Sequence, residues 1–149
     1  MSGFARARTP AVFLALLSSV LLLTSTSVAG DTLHYPNWVE FADKKTIELV
    51  TKNENGSIRK NPVWFVVMND AAYLRTGGSN HWLRNLQREP DAVVNIGRKT
   101  FAVRAEEVEG PEIIQQVEEK LVAGYGRIHR IPRAKVTGTP RIVRLGPRE

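Results

Sequence analysis

A glycine-rich turn in the middle of the chain carries the residues best suited to bind an anion. Gly77, Gly78 and Ser79 follow a predicted strand that ends at Thr76, and a short segment opens at Asn80. A turn that leads into a helix presents free backbone N–H groups, and a serine hydroxyl adds a further donor. The pattern is typical of a cradle for the phosphate of a cofactor, and a plain hairpin-to-helix turn has the same composition.

Basic and aromatic side chains near this turn are further candidates for ligand contact. Arg59 and Lys60 could bind a phosphate, or they could be solvated charges that protect a strand edge from aggregation. Trp64 and Trp82 could stack on a flat cofactor ring, or they could pack in the core or in an interface. Arg84 could reach back to a phosphate that is bound at the turn.

Acid–base and metal chemistry have few candidates in this sequence. The three histidines, His34, His81 and His129, do not have the spacing of metal ligands, so no metal site is predicted. His81 is the better candidate for ligand contact, although each histidine could also be a solvent-facing structural residue. The chain has no cysteine, no Gly-x-Ser-x-Gly motif and no Walker loop. Hydrolase chemistry therefore has no support, and no side chain is predicted to be catalytic.

Six strands and two helices are predicted to position these residues. Alternating or continuous apolar runs, with turn residues between them, indicate strands at 46–51, 57–68, 73–76, 93–96, 100–108 and 141–145. Helices are predicted at 80–89 and 110–124, the second with proline at its first position and Gly124 at its end. Because the helices are inserted between hairpins, the sequence predicts a mainly β (α+β) fold, a six-stranded antiparallel split or closed barrel with two helices.

The first predicted helix has two distinct faces. Ser79 is a candidate N-cap, and Pro90 enforces the end of the helix. One face carries Trp82, Leu83 and Leu86, which we expect to pack on the core. The other face carries four polar residues at i, i+3, i+4 and i+7, which are His81, Arg84, Asn85 and Arg88. Upstream of the first strand, residues 31–43 are expected to pack aromatic side chains on the domain, through a short helix from Asn37.

Residues 1–29 have the pattern of a signal peptide, and residues 30–149 are predicted to form one domain. Arg6 and Arg8 precede an uncharged run at 11–23, and small residues at Ser27 and Ala29 fit a cleavage site before Gly30. The run is short for a bilayer span, so we predict export to the periplasm or the cell exterior, with an N-terminal membrane anchor as the alternative. Neither a twin-arginine pair nor a lipidation cysteine is present.

Overall charge does not predict a nucleic-acid partner. The whole chain has a formal net charge of +6, and two of its positive charges lie in the leader. A basic segment at 127–135 lacks interleaved aromatic residues that could stack on bases. It is interpreted as a rim for an anionic cofactor tail or as a solvated loop.

Several of these segments together resemble the flavin-binding split barrel. The first segment, 57–67, ends in Asn-Pro-Val-Trp-Phe-Val-Val, and the second, 73–79, reads Tyr-Leu-Arg-Thr-Gly-Gly-Ser. The third, 81–90, ends in Leu-Gln-Arg-Glu-Pro. The last two are Val-Val-Asn-Ile-Gly at 93–97 and Pro-Arg-Ile-Val-Arg-Leu at 140–145. The match covers about residues 46–148. The nearest branch resembles deazaflavin- or FMN-dependent nitroreductase-type proteins, which are related to pyridoxamine phosphate oxidases. The resemblance implies a homodimer with a flavin or deazaflavin in a groove across its interface.

The same resemblance implies where a cofactor phosphate would lie. The matching positions are on the second strand and in the turn before the first helix, namely Arg59, Lys60, Thr76, Gly77, Gly78, Ser79 and Asn80. Many relatives have a basic residue directly after the serine, whereas this chain continues Asn80-His81-Trp82. The leading hypothesis is an exported oxidoreductase that reduces a small molecule by hydride transfer. The alternative is a non-catalytic module that binds haem or another aromatic cofactor, with His81 or His129 as a possible iron ligand.

Overall fold

The computed structural model describes residues 33–126 and 140–149. The predicted signal peptide, the basic segment at 127–135 and His129 lie outside the described residues. The strands are β1 (Thr46–Lys52), β2 (Ile58–Met68), β3 (Ala71–Gly77), β4 (Asp91–Ile96), β5 (Lys99–Val108) and β6 (Pro140–Gly146). The helices are α1 (His81–Arg88) and α2 (Pro111–Tyr125), and a 3-10 turn, Trp38–Phe41, precedes β1.

The six strands close into one antiparallel barrel in the order β1-β2-β3-β6-β5-β4, with β4 pairing back to β1. This arrangement confirms the predicted six-stranded antiparallel barrel with two helices. Two-residue connections join β2 to β3 and β4 to β5. Asn69 and Asp70, with φ of 48° and 57°, form the two-residue turn between β2 and β3, a left-handed conformation that asparagine and aspartate tolerate.

The sequence between Val63 and Met68 predicts a strand that is buried on both faces, and the structure confirms it. Phe65 points into the barrel, where it packs with Trp38 and the other interior side chains. Val66 points outward into a second apolar cluster, which α2 covers with Val117 and Leu121. Each face of this strand therefore has its own apolar partner, which explains why the run is continuous rather than alternating.

Each end of the barrel is closed by a separate element. At the upper end, where β2 and β6 finish, Trp38 is fully buried and donates from Nε1 to the Tyr35 hydroxyl at 2.9 Å. The predicted packing of the aromatic segment before β1 is thus confirmed. At the lower end, where β1 and β3 finish, α1 inserts Trp82, Leu83 and Leu86 into the core, as the apolar stripe predicts.

Three details of the helices differ from the sequence prediction. The N-cap of α1 is Asn80 and not Ser79, because the Asn80 side chain accepts a hydrogen bond from the backbone N–H of Trp82 at 3.2 Å. Asn85 is buried, not exposed, since it bonds to the β1–β2 hairpin. Helix α2 continues past Gly124 and ends at Tyr125, with Gly126 at φ of 70° as its C-cap.

Candidate functional site

The topology gathers most of the predicted ligand-binding residues at the lower end of the barrel. Strand β2 begins there with Arg59 and Lys60, and β3 ends there at Thr76 and Gly77. The turn after β3 leads to α1, which closes the same end. Antiparallel neighbours start and finish at opposite ends, so this clustering follows directly from the strand order.

Strand alternation separates two residues that the sequence prediction treats together. Arg59 lies opposite Thr51 in the β1–β2 register, on the face that continues the barrel interior. Lys60 lies on the outer face and forms an ion pair with Glu48 at 3.4 Å. Asn95 also donates to Glu48, at 2.7 Å, and this hydrogen bond, followed by the Lys60 charge, lowers the pKa of the Glu48 carboxyl. Arg59 and Lys60 therefore face different surroundings.

Below Phe65, strands β2 and β3 separate. The β2–β3 ladder runs only from Phe65 to Met68 on β2, whereas the β1–β2 ladder continues down to Ile58. Arg59 and Asn61 lie on one side of this separation, and Thr76 and Gly77 lie on the other. We call this region, with the turn at 78–80, the lower cleft.

Asn61 is a feature of the lower cleft that the sequence prediction missed. Its Oδ1 accepts a hydrogen bond from Arg59 Nε at 3.3 Å. Its Nδ2 is inaccessible to solvent and has no hydrogen-bond partner within the described residues. Buried polar groups are nearly always paired in native proteins, so an orphaned donor calls for an acceptor. The signal in the sequence was the two-residue spacing from Arg59, which places both side chains on one face of β2.

The turn at 77–80 is a capped helix start with an exposed outer surface. The Asn80 backbone N–H donates to the Gly77 carbonyl at 3.2 Å, and Gly78 and Ser79 are exposed. A Cβ added at Gly78 would meet no atom within 4 Å, so close packing does not require glycine there. Asn80 already occupies the Trp82 N–H, which leaves the other N–H groups of the first turn of α1 for a ligand.

The two remaining polar residues at the start of α1 contact each other. Arg84 Nη2 lies 2.8 Å from His81 Nδ1, and both side chains are exposed. Since guanidinium is always a donor, Nδ1 of His81 is the acceptor in this contact. The contact leaves His81 Nε2 to face solvent or a ligand.

A buried polar network joins α1 to the β1–β2 hairpin. Asn85 Nδ2 donates to Thr51 Oγ1 and to Asn53 Oδ1, both at 3.0 Å. One turn further, Arg88 donates to the Lys52 carbonyl at 2.5 Å. The network holds the helix that carries His81 against the hairpin that carries Arg59.

The two tryptophans take part in packing. Trp82 is buried inside the barrel. Trp64 lies on the outer face of β2 and stacks on Tyr125 of α2, with ring centroids 4.8 Å apart and an interplanar angle of 17°. Trp64 is therefore on the opposite face of β2 from Arg59 and Asn61.

The described residues contain neither a metal-binding cluster nor a membrane-spanning helix. In the part of the chain that the structure describes, no cluster of three or more histidine, aspartate or glutamate side chains could hold a metal ion. No helix in the described ranges is long and apolar enough to cross a membrane.

The barrel topology is the split-barrel fold of several solved structures, and each likeness is one of fold alone. HutZ, the haem storage protein from Vibrio cholerae, is 20% identical to this chain, with a TM-score of 0.59. The match covers 74% of this chain and 87% of HutZ. An F420-H2 dependent reductase is 20% identical, with a TM-score of 0.54, and the match covers 68% of this chain and 94% of the reductase. A Listeria innocua protein proposed to be a pyridoxamine 5′-phosphate oxidase is 12% identical, with a TM-score of 0.55. The match covers 70% of this chain and 85% of the Listeria protein.

The sequence itself shows the family of this chain. Residues 39–145 match the family described as "Uncharacterized protein conserved in bacteria (DUF2255)", and the chain belongs to it. A search of the curated proteins gave no match. The solved structures therefore establish the fold.

Proposed function

We propose that this protein binds FMN or a deazaflavin in the lower cleft and is an oxidoreductase that reduces a small molecule by hydride transfer. One observation carries the proposal: Asn61 Nδ2 is a buried donor without a partner in the described residues, and it lies beside the Arg59 guanidinium. A donor that has given up water needs an acceptor, and a cationic neighbour favours an acceptor with negative charge.

The remaining groups of the lower cleft are also hydrogen-bond donors or positive charges. The first turn of α1 presents N–H groups, and Arg59 supplies a permanent positive charge. Phosphate oxygens and ring carbonyls are acceptors, so a phosphate-bearing flavin or deazaflavin is complementary to this set. Such a cofactor supplies the hydride chemistry when bound, and the residues of the chain bind and orient it.

Proteins of the same fold support this ligand class. One neighbour is an F420-H2 dependent reductase, and another is proposed to be a pyridoxamine 5′-phosphate oxidase. The likeness is one of fold alone, so the cofactor is inferred from the donors of the cleft.

A second candidate function is haem binding without catalysis. His81 favours it, because its Nδ1 contacts Arg84 and its Nε2 is free of any contact that the structure gives among the described residues. An imidazole whose other nitrogen is fixed is a suitable iron ligand. A haem storage protein has the same fold.

Export and dimerisation complete the proposal. We propose that residues 1–29 are removed as a signal peptide, which N-terminal sequencing of the secreted chain would test. We also propose a homodimer, and a solved structure of the same fold forms a domain-swapped dimer. A molar mass from light scattering equal to that of one chain would contradict the dimer.

The cofactor is tested by absorption spectroscopy of the purified protein, before and after mixing with FMN, deazaflavin F420 or haemin. A flavin-like band that co-elutes with the protein supports the redox function. A Soret band that is lost in His81→Ala supports the haem alternative instead. A protein that binds none of the three contradicts both functions and leaves the fold unaffected.

The site is tested by Asn61→Asp, which replaces the orphaned donor with a charged acceptor of the same shape. We expect FMN or deazaflavin affinity to fall about tenfold or more, because a hydrogen bond to a charged group is lost and a repulsion is added. Asn69→Asp is the matched control, since it makes the same change in the turn at the upper end. Equal affinity of Asn61→Asp and the unmodified protein would contradict the assignment of the lower cleft.

A further inference from the structure

A second concavity lies on the other side of α1 from the lower cleft. It has a volume of about 190 Å³ and is lined by α1, β5 and β6 through Leu83, Leu86, Gln87, Pro90, Ala105, Glu107 and Val143. Helix positions 83, 86 and 87 lie on the face opposite to positions 81, 84, 85 and 88, and Pro90 follows the end of α1. This α1–β5 pocket is therefore separate from the groups that form the proposed cofactor site.

The wall of the α1–β5 pocket is apolar except at Gln87 and Glu107, which bond to each other and fix the carboxylate. Gln87 Nε2 donates to Glu107 Oε2 at 3.1 Å, and Arg141 Nε of β6 pairs with Glu107 Oε1. The Glu107 side chain is only 22% exposed. A carboxylate has about four acceptor positions, so two bonds do not exhaust its capacity. Glu107 is thus an oriented acceptor beside the apolar side chains of Leu83, Leu86 and Val143.

The size of the pocket limits what it can hold. Sites for cofactors and drug-sized ligands usually occupy about 300–1,000 Å³, so a flavin does not fit. An engineered apolar cavity of about 150 Å³ binds benzene, so this pocket suits a slightly larger molecule. Water in such a pocket finds few hydrogen-bond partners, and its displacement by an apolar group is favourable.

From these features we infer that the α1–β5 pocket binds a small neutral molecule with an apolar body, the size of a substituted six-membered ring, and one hydroxyl or amide donor. The body would lie on Leu83, Leu86 and Val143, and the donor would bond to Glu107. A neutral donor is favoured over an ammonium because Arg141 already balances the carboxylate charge. This inference does not depend on the proposed cofactor or on its reaction.

Benzyl alcohol is the probe, added to the isotope-labelled full-length protein while its amide NMR signals are followed. We expect saturable shifts at the Ala105 backbone amide and the Gln87 side-chain amide, with a dissociation constant on the order of 1 mM. Toluene has the same ring and no donor, so we expect it to bind about threefold to tenfold more weakly.

A pair of matched variants locates the site. Ala105→Leu fills the pocket and should weaken benzyl alcohol binding at least tenfold, whereas Ala123→Leu makes the same change on the exposed surface of α2 and should leave it unchanged. The inference is overturned if benzyl alcohol gives no saturable shifts, if Ala105→Leu binds it as well as Ala123→Leu does, or if toluene binds as tightly. None of these outcomes bears on FMN, deazaflavin or haemin binding at the lower cleft.

Discussion

Single residues on β2 show how much a one-position step matters in a strand. Arg59 and Lys60 have the same charge and are adjacent, yet Arg59 shares a face with Thr51 and Asn61, while Lys60 is paired with Glu48 on the outside. Successive side chains of a strand point to opposite faces, so a ligand in the lower cleft meets only one of them.

Replacing each of the two basic residues by alanine tests this difference. We expect Arg59→Ala to weaken FMN or deazaflavin binding about tenfold or more, because a charge-assisted contact is lost. Lys60→Ala should change the affinity less than about twofold, since only a surface ion pair is lost. Fluorescence titration of the two variants measures the difference, and equal losses would show that the ligand contacts the outer face.

Glu48 provides a pH-dependent test at the same scale. Its pKa is lowered first by the hydrogen bond from Asn95 and then by Lys60. The stabilisation is therefore present above the unfolded pKa and is lost as the pH falls through the lower folded value. We expect Asn95→Ala and Lys60→Ala each to raise the pKa of Glu48, as measured by NMR titration of the side-chain carboxyl. An unchanged pKa in either variant would contradict the contribution of the residue that it replaces.

At the scale of elements, α1 is a short helix that is held from both sides. Its apolar side chains enter the barrel, and Asn85 bonds to Thr51 and Asn53 in the β1–β2 hairpin. Eight residues form a helix that is marginal without tertiary contacts. The position of His81 relative to Arg59 therefore depends on this polar network.

Asn85→Ala should destabilise the protein by about 1–3 kcal/mol, because it leaves the buried Thr51 hydroxyl without its donor and opens space. The free energy of unfolding from urea titration measures the effect. Arg84→Ala, on the exposed face of the same helix, is the control and should change stability by less than about 0.5 kcal/mol. Similar losses in both variants would indicate a general helix effect and not the network.

Tyr125 anchors the end of α2 in a comparable way. Its hydroxyl contacts the Lys45 carbonyl at 2.5 Å and the Phe65 carbonyl at 2.6 Å, and it accepts from the Phe65 N–H at 3.2 Å. Burial raises the pKa of Tyr125 above its ordinary value of 10.0. The protonated side chain therefore stabilises the fold fully below about pH 10, and this contribution is lost as the pH rises through the folded pKa.

Tyr125→Phe should lower the free energy of unfolding by about 1–2 kcal/mol at pH 7, since the buried hydroxyl bonds are lost. The variant should also lose less stability than the unmodified protein between pH 9 and pH 11, because one raised pKa is absent. Urea unfolding at these pH values gives both results. Tyr35→Phe removes another hydroxyl whose pKa is raised by burial. It should independently reduce the loss of stability over the same pH range.

At the scale of the whole molecule, the sequence was sufficient for the architecture and insufficient for the site. Strand periodicity, the Asn69-Asp70 turn and the proline at the start of α2 are local signals, and they predict the elements that the structure contains. The roles of Asn61 and Asn85 depend on how elements pair and pack. Asn61 lies where β2 separates from β3, and Asn85 lies where α1 contacts the β1–β2 hairpin. The hydrophobic periodicity of one element cannot predict such contacts between elements.

The place of β6 in the barrel has a consequence for how the chain folds. It lies between β3 and β5, and its ladder joins Ala72 to Leu145. The barrel cannot close until residues 140–146 have been synthesised, and contacts between such distant positions slow folding. A nascent chain that lacks them has open edges on β3 and β5, so we expect it not to fold. If the leader directs export as we propose, this delay keeps the chain in the extended form that a secretion channel accepts.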